Sequence, residues 1–586
     1  MRIKYKSVIE KTFFSLLPMQ IIMITISSIN SIIDGVIASN FISATALAVI
    51  ALFLPVTRIL DTVSSIFLGG AQILCGQYIG RNRQDRYIAV FSTDLFILVL
   101  FGLAATACCL VFRMPIASIL GKDSKLASEL AAYVLGYSFG IVPMILIPQL
   151  TAFLQLERQE KRTYVGMVSM IVLNITLDIV FVSVLDMGMF GLGLATAISN
   201  LSFLLILLSY YVFHDSALKF RFRGIRLGEV RQIVHIGFPG AVSTLGQAIR
   251  SILLNMIMLS FVGEAGVSAF SAVYSFGAVY WAASGGVSTA VRVLSSIYVG
   301  EEDRTGLHTI LKTALTKGTL LVCIIAGICM LCSPLFTIIF YGPGSGAVYR
   351  MTLYGFLLFP LSMPFSCICC VFSAYYQCTG RIRIVNILLF VDALFGVIAF
   401  SFLLAPALGM TGVWLAHIAN GILTVLVIVL YTLCVKKRWP VSVSDLLVLR
   451  DSFGVPSGDR IDLQISDMND VVNLSEGIVA FARQHAIDEK RSVIAGLCIE
   501  EMAGNIVKHG FDGKKNYNID VRVVYKDNGL LIRIKDNCRC FNPKEVQSLY
   551  EPDDFTRNIG LRLVSGLADS MSYNNCLGIN VLSITV

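Results

Sequence analysis

Twelve long apolar stretches dominate this chain and restrict what it can fold into. They lie near residues 13–37, 44–70, 88–112, 132–153, 164–186, 190–213, 236–260, 269–299, 314–340, 352–378, 384–405 and 409–435. Most reach the roughly 20 residues that a helix needs to cross the hydrocarbon core of a bilayer. Only 14% of the residues are charged, against about 25% in soluble domains. We therefore expect an all-α polytopic membrane domain with twelve transmembrane helices.

The stretches form two similar sets of six, related by an offset of 221 residues. Pro18 corresponds to Pro239, and the phrase GMFGLGLA at 188–195 returns as GMTGVWLA at 409–416. QYIG at 77–80 is echoed by IYVG at 297–300. Repeated sets of spans are typical of transporters built from two lobes. The sequence predicts a membrane domain over 1–440 with six-helix lobes at about 10–215 and 232–435.

Acidic residues inside the spans occur at positions that the second set does not repeat. Asp34 lies in the first span, and Asn174 and Asp178 lie one helical turn apart in the fifth. The second-set counterparts are Asn255, Phe395 and Ala399, and Thr196 corresponds to His417. A charge at the middle of a spanning helix costs roughly 2.5–3.5 kcal/mol on insertion scales. Two such acids with amide and hydroxyl oxygens can coordinate sodium or share a proton, although neighbouring helices or the interface could also satisfy them.

The distribution of basic residues predicts the orientation. Residues 1–440 contain 30 Lys and Arg against 18 Asp and Glu, leaving 16 against 20 for the remainder. The basic residues cluster before span one, after span two, between spans six and seven, and after span twelve. Because basic loops stay in the cytoplasm, we expect a multi-pass plasma-membrane protein with both termini cytoplasmic. The positive charge thus reflects topology in the lipid bilayer, and no nucleic-acid partner is expected.

These motifs resemble those of the multidrug and toxic compound extrusion (MATE) family. The resemblance rests on the first span with its Asp34, on TALAVIALFLP at 45–55 and on NITLDIVFVSVLDMGMFGLGLATAIS at 174–199, and covers about residues 10–435. It implies that first-lobe acids bind the coupling sodium ion or proton. Carried over by position, this role falls to Asp34, Asn174 and Asp178, with Thr196 and Tyr133 as further candidates.

Residues after about 441 have the composition of a soluble domain. A linker at 441–460 precedes a domain at 461–586 in which helices are predicted at 468–485, 489–509 and 560–571. Strands are predicted at 517–525, 529–535 and 578–586. This order predicts a small α/β sandwich.

Four ordered segments of this domain resemble the histidine-kinase-like ATPase (GHKL) superfamily, most closely the anti-sigma-factor serine kinases. They are LCIEEMAGNIVKHG, IRIKDNCRCFNP, RNIGLRLVSGLAD and LGINVLSITV, whereas the P-loop pattern of another ATPase class is absent from the sequence. The resemblance implies that Glu501 is the general base, Asn505 holds magnesium and Asp536 bonds adenine. It places Lys508 at the nucleotide and Gly560 at the phosphates. The chain departs from the family at Cys538, Cys540 and Asn558, where glycines are usual.

The sequence thus predicts a sodium- or proton-coupled antiporter that exports small organic solutes, cations among them. Its ATP-binding domain would regulate transport, alone or with a cytoplasmic regulatory protein. Two alternatives remain open. One is a membrane-anchored signalling protein with an ATP-dependent serine kinase output, and the other is a flippase for lipid-linked substrates.

Overall fold

The chain forms a large helical domain followed by a small mixed domain. The structure, a computed structural model, describes residues 6–42, 46–121, 124–214, 216, 218–344, 346–450, 452–510, 518–526, 528–539, 542 and 559–586. The helices of the large domain are α1 (Lys6–Ile37), α2 (Ala46–Gly80), α3 (Gln84–Val111), α4 (Arg113–Gly121), α5 (Ser124–Ser138), α6 (Ile141–Leu156), α7 (Glu160–Asp178), α8 (Gly188–Phe213), α9 (Leu227–Phe261), α10 (Glu264–Ser275), α11 (Gly277–Gly300), α12 (Arg304–Thr313), α13 (Thr319–Leu331), α14 (Ser333–Tyr341), α15 (Ala347–Leu358), α16 (Met363–Cys378), α17 (Ile382–Phe390), α18 (Gly396–Leu408), α19 (Met410–Lys436) and α20 (Val443–Leu446).

Helices occupy all twelve of the apolar stretches identified in the sequence. Within the described ranges, nine helices are long and apolar enough to cross a membrane, and the bent pair Leu126–Ser138 and Ile141–Leu156 would make a tenth. The two other stretches correspond to α1 and to α10 with α11. Short π-helical segments at Ala38–Ile42, Ile179–Val184, Ala314–Gly318 and Val391–Phe395 interrupt or extend several spans.

Lobe 1 (α1–α8) and lobe 2 (α9–α19) preserve the repeat in their backbone. Pro18 and Pro239 lie inside α1 and α9, the first helix of each lobe. The counterparts Gly188 and Gly409 both adopt positive φ, 54° and 58°, a conformation that glycine takes without steric cost. The repeated phrases therefore specify the same turn in both lobes.

The lobes pack closely at one end, where the repeated phrases QYIG and IYVG meet. A Cβ atom on Gly80 of α2 would lie 2.1 Å from the carbonyl oxygen of Ile297 on α11. A Cβ atom on Gly300 would lie 2.2 Å from the carbonyl oxygen of Gln77. Farther along the same interface, a Cβ atom on Gly70 or Gly237 would likewise clash with a backbone oxygen of the other lobe. Glycine at these positions lets the helix backbones touch, so the domain is closed at this end.

The C-terminal domain is a five-stranded antiparallel sheet with helices on one face. The strands are β1 (Arg460–Ile465), β2 (Ile519–Lys526), β3 (Gly529–Asp536), β4 (Ser570–Cys576) and β5 (Ile579–Thr585), in the order β1-β2-β3-β5-β4. The helices are α21 (Met468–Gln484), α22 (Glu489–His509) and α23 (Ile559–Leu567). One apolar core joins these helices to the inner face of the sheet. The sequence missed β1 and β4, and the helix predicted at 560–571 ends at 567 because Ser570 begins β4.

The outer face of the sheet carries charged residues that are nonetheless buried, because it lies against the closed end of the membrane domain. These residues are Asp520 and Arg522 on β2 and Arg533 and Lys535 on β3, each at most 8% exposed. The basic residues among them find partners in the acidic turn after α11. Lys535 Nζ lies 2.6 Å from Glu301 Oε2, and Arg522 Nη1 lies 2.5 Å from Asp303 Oδ1.

The C-terminal domain also contacts lobe 1. Arg533 donates to the carbonyl oxygen of Gly80 at 3.3 Å, and the backbone amide of Leu577 donates to that of Leu156 at 3.0 Å. Asn82 hydrogen-bonds Ser572. The sheet therefore bridges the two lobes at the end where they meet.

Candidate functional sites

Asp34 and Asp178 form a pair of carboxyl groups inside lobe 1. α1 packs against α7, and the two side chains interact with each other. Asp178 is fully buried, and neither of its carboxyl oxygens meets hydrogen-bond geometry with a described residue. It ends α7 and is followed by the π-helical segment Ile179–Val184, a departure from α-helix that is frequent at functional sites.

The structure relates the other predicted residues of this site to the pair to different extents. Asn174 is fully buried one turn before Asp178, and its amide nitrogen and oxygen have no hydrogen-bond partner within the described part of the chain. Tyr133 on α5 interacts electrostatically with both acids. The hydroxyl of Thr196 donates to the carbonyl oxygen of Leu192 at 3.2 Å, within its own helix. The structure thus brings Asn174 and Tyr133 towards the acids, while Thr196 bonds its own backbone.

Two facing buried carboxyl groups constrain the charge that this site can hold. Both cannot be ionised in an apolar interior without a compensating cation or a shared proton. No group of three or more His, Cys, Asp or Glu with metal-binding geometry occurs in the described ranges. A cation here would therefore depend on the amide oxygen of Asn174 and other neutral oxygens beside the two acids.

The C-terminal domain brings its predicted nucleotide residues to one end of the sandwich. Glu501 and Asn505 lie one turn apart on α22, and Gly560 lies in the first turn of α23. A Cβ atom on Gly560 would lie 1.7 Å from Glu501 Oε2, so the carboxylate rests against the N-terminus of α23. Lys508 is exposed near the end of α22.

Asp536 ends β3 at the same end of the domain and is held in place by neighbours. Its Oδ1 accepts hydrogen bonds from Asn580 Nδ2 at 2.7 Å and from the backbone amide of Cys538 at 2.9 Å. Burial raises the pKa of this carboxyl group above its usual value, while these hydrogen bonds oppose the shift. Asn580 did not emerge from the sequence as a site residue, although it lies in the LGINVLSITV segment. Of the family departures, Cys538 is buried, and Cys540 and Asn558 lie outside the described residues.

The residues at this end of the domain could hold a magnesium ion together with nucleotide phosphates, but they would not form a complete protein cage around the ion. Magnesium is bound by one or two protein oxygens together with substrate phosphates rather than by a full protein cage. Asn505 is half-buried, with its side chain on the same helical face as Glu501. The helix N-terminus at Gly560 offers backbone amides for phosphate. Asn505 would hold the metal, which would neutralise phosphate charge, and Asp536 would orient the base.

Comparison with known families gives two matches that divide the chain. Residues 18–180 and 239–403 match the MatE family. Residues 466–586 match the histidine kinase-like ATPase domain family.

Curated relatives match the membrane part. The multidrug export protein MepA of Staphylococcus aureus (strain NCTC 8325 / PS 47) is 23% identical over 436 residues, covering 72% of this chain and 94% of that protein. The probable multidrug resistance protein YoeA of Bacillus subtilis (strain 168) is 24% identical over 324 residues, covering 52% of this chain and 66% of that protein.

Solved structures share the fold of the helical domain. A MATE crystal structure in complex with MaL6 superposes with a TM-score of 0.67 at 20% identity, covering 72% of this chain and 95% of that one. An outward-facing multidrug resistance MATE family transporter gives a TM-score of 0.66 at 20% identity, covering 72% and 94%.

Proposed function

This chain belongs to the MATE family of multidrug efflux transporters, and we propose that it exports small organic solutes in exchange for sodium ions or protons. The observation that carries this proposal is the facing pair Asp34 and Asp178 in lobe 1, buried beside the unpartnered amide of Asn174. A cation that enters the pair, or a proton that it shares, discharges it. The cost of burying the charge is thereby relieved. Occupancy of the site then shifts the balance between two arrangements of the lobes.

Tyr133, which interacts electrostatically with both acids, contributes a neutral oxygen near the pair, and Thr196 remains a further candidate implied by the family resemblance. Lobe 2 has no acids at the corresponding positions, so we assign the coupling ion to lobe 1. The lobes rock about their interface, and closure at the domain-facing end corresponds to the state open to the outside. In the plasma membrane, with both termini cytoplasmic, this end is the cytoplasmic one.

Transport in proteoliposomes tests this proposal. Ethidium efflux is measured under a sodium gradient and under a proton gradient applied separately, and one gradient is expected to drive it. Asp34→Asn and Asp178→Asn should each abolish the gradient-driven flux, because the variants lack a carboxyl group to discharge. Asp186→Asn is the matched control, since Asp186 is exposed after the same span and the variant should transport normally.

Absence of flux under both gradients, with ethidium, with a wider panel of organic cations and with aromatic carboxylates such as 2-naphthoate, would refute the export function. Phosphate transfer from ATP to a co-purified protein, without solute flux, would instead support the signalling alternative.

We propose further that the C-terminal domain binds ATP with magnesium and regulates transport without driving it. The support is its position: the outer sheet face contacts Glu301 and Asp303 of lobe 2 and Gly80 and Leu156 of lobe 1. When the lobes part at this end, the sheet cannot keep both sets of contacts. Docking therefore stabilises the closed arrangement, and a nucleotide that changes the domain's shape changes the opening rate.

The ion pair between Glu301 and Lys535 is the place to test this regulation. Glu301→Lys faces Arg533 and Lys535 with a like charge, so we expect weaker docking, faster cleavage of the linker at 441–460 by protease, and transport that no longer responds to ATP. Adding Lys535→Glu should restore part of both properties. Lys526 and Glu302 form an exposed ion pair at 3.0 Å, and Glu302→Gln is the control because exposed pairs contribute little.

If ATP changed the transport rate of the wild type and of Glu301→Lys by the same factor, regulation through docking would be contradicted. Loss of the ATP response in Asn505→Ala, with ethidium transport retained, is expected if the nucleotide acts through the predicted site.

A further inference from the structure

Lobe 2 contains a polar cavity that the coupling-ion site does not use. Its volume is about 250 Å³, and it lies between α9, α11, α16, α19 and the segment Val391–Phe395. Small-molecule sites are usually cavities of a few hundred Å³ with a few convergent polar groups. Arg250 lines this cavity.

Arg250 is the unusual feature of the cavity wall. It is 8% exposed in the middle of α9, where an arginine is costly unless something compensates its charge. Its one described hydrogen bond runs from Nη1 to the backbone oxygen of Asp392 at a long 3.4 Å. No ion pair to Arg250 is formed within the described part of the chain. A guanidinium group carries five N–H donors, so most of its donor capacity remains for a ligand.

The acidic neighbour of Arg250 is held by another side chain. Asp392 Oδ1 accepts from Asn420 Nδ2 at 3.2 Å. Asp392 lies within electrostatic range of Arg250, but its carboxylate oxygens are more than 4 Å from the guanidinium nitrogens and form no salt bridge with them. It therefore lowers the cost of burying the cation and leaves the planar fork of the guanidinium group free of a carboxylate. The buried hydroxyl of Ser284, also in the wall, does not meet hydrogen-bond geometry with a described residue, although the thiol of Cys367 lies close to it.

Aromatic rings form another part of the wall. Trp281 and Phe359 lie edge to face with centroids 6.4 Å apart, and the ring of His417 lies 5.0 Å from Phe359. The ring orientation of His417 is fixed by the contact of its Nδ1 with the carbonyl oxygen of Val413 at 3.0 Å. Aromatic ring surfaces that line the same cavity as a forked cation suit a planar ligand that ends in a carboxylate.

We propose that this cavity is a solute site and that its ligand is an aromatic carboxylate, anionic or zwitterionic, bound through Arg250. The guanidinium group holds the carboxylate in a bidentate pair, and Trp281 and Phe359 cover the ring. This inference rests on the proposed export function, and it separates the two lobes by task. Lobe 1 takes the coupling ion, and lobe 2 takes the solute.

Equilibrium binding to the full-length protein in nanodiscs tests the assignment without any gradient. The probes are 2-naphthoate, its methyl ester and 2-naphthylmethylammonium, measured by calorimetry. We expect 2-naphthoate to bind at least about tenfold more tightly than the other two, since hydrogen bonds to charged groups are worth a factor of this size. Arg250→Gln should remove that advantage, and Arg250→Lys should keep only part of it because lysine lacks the fork.

Arg58→Gln is the matched control, because Arg58 is an exposed intramembrane arginine on α2 paired with Asp61 at 3.9 Å. It should leave 2-naphthoate binding unchanged. The thermal unfolding midpoint of each variant shows whether it is folded. A folded Arg250→Gln that binds 2-naphthoate as tightly as the wild type would overturn the proposal, and so would equal binding of the ester.

This experiment also separates failure of the inference from failure of the proposed function. Asp34→Asn should keep 2-naphthoate binding while it loses gradient-driven flux. Specific naphthoate binding by a chain that transports nothing would leave the site standing and refute the export function. Gradient-driven flux without preferential binding of the carboxylate would support the export function and refute the proposed solute site.

Discussion

Among the residues of the proposed nucleotide site in the C-terminal domain, Gly560 has the least room. A Cβ atom there would lie 1.7 Å from Glu501 Oε2, and real Cβ atoms do not approach other atoms so closely. Because that oxygen ends a flexible side chain, Gly560→Ala should displace the Glu501 carboxylate from the start of α23 and weaken ATP binding several-fold. Binding of a fluorescent ATP analogue to the full chain measures the effect.

Gly566 on the same helix is the control, because a Cβ atom there would meet nothing within 4 Å. Gly566→Ala should bind the analogue like the wild type. Equal affinities for all three proteins would show that Gly560 does not border the nucleotide.

Single residues also show how far the sequence could predict the proposed coupling site. The i to i+4 spacing of Asn174 and Asp178 placed both on one helical face, and the structure has both fully buried in α7. The sequence could not show that Asp34, on another helix, would face Asp178, because no spacing rule relates distant helices. Family resemblance supplied that pairing. Asn580 was missed because an asparagine inside a strand gives no signal until its partner Asp536 is in place.

At the level of elements, the contact between α2 and α11 decides whether the domain-facing end can close. Gly300→Ala would place a Cβ atom 2.2 Å from the backbone oxygen of Gln77, and a backbone cannot move aside as a flexible side chain does. We expect the lobes to separate at this end. Amide hydrogen exchange around residues 77–80 and 297–300 should accelerate, as it does where local opening becomes easier.

Gly327→Ala on α13 is the control, since a Cβ atom there would meet nothing within 4 Å. Unchanged exchange in Gly300→Ala would mean that the two helices do not form the closing contact.

The strands of the C-terminal domain show which elements the sequence hides. β2 alternates apolar residues with charges in IDVRVVYK, a pattern typical of a strand with one solvated face. The structure buries both faces, because the charged side meets the acidic turn of another domain. β4, SMSYNNC, is a largely polar edge strand, so it has no apolar period to reveal it. Its pairing with β5 alone defines it.

At the scale of the whole molecule, the two domains meet through charges, and one of these charges makes the contact depend on pH. Asp520 lies on the outer sheet face, where burial raises its pKa to about 7; Lys535 opposes this shift, and Asp303 and Asp462 add to it. Asp303 itself stays ionised, because Arg522 lowers its pKa in spite of burial. Asp520 therefore titrates at a higher pH than Asp303.

The direction of the pH dependence follows from the proton that Asp520 takes up in the docked state. When the domain is undocked, Asp520 is exposed and its pKa should lie near the ordinary value of 3.8. Above pH 7, Asp520 is therefore charged in both states, and docking must bury that charge at a cost in free energy. As the pH falls through 7, only the docked state takes up a proton. Docking should therefore strengthen by about tenfold between pH 8 and pH 6.

Asp520→Asn removes this dependence while keeping the side chain's size. Hydrogen exchange of the turn Glu301–Asp303 in the full chain reports docking, and the ratio of variant to wild type at each pH cancels the intrinsic rate. The variant should protect the turn better than the wild type at pH 8 and equally at pH 6. Asp569→Asn serves as control, since Asp569 is paired with Arg491 on the domain's exposed side at 2.9 Å. A ratio that stays constant from pH 6 to pH 8 would place the titration outside the interface, and docking would then give transport no sensitivity to pH.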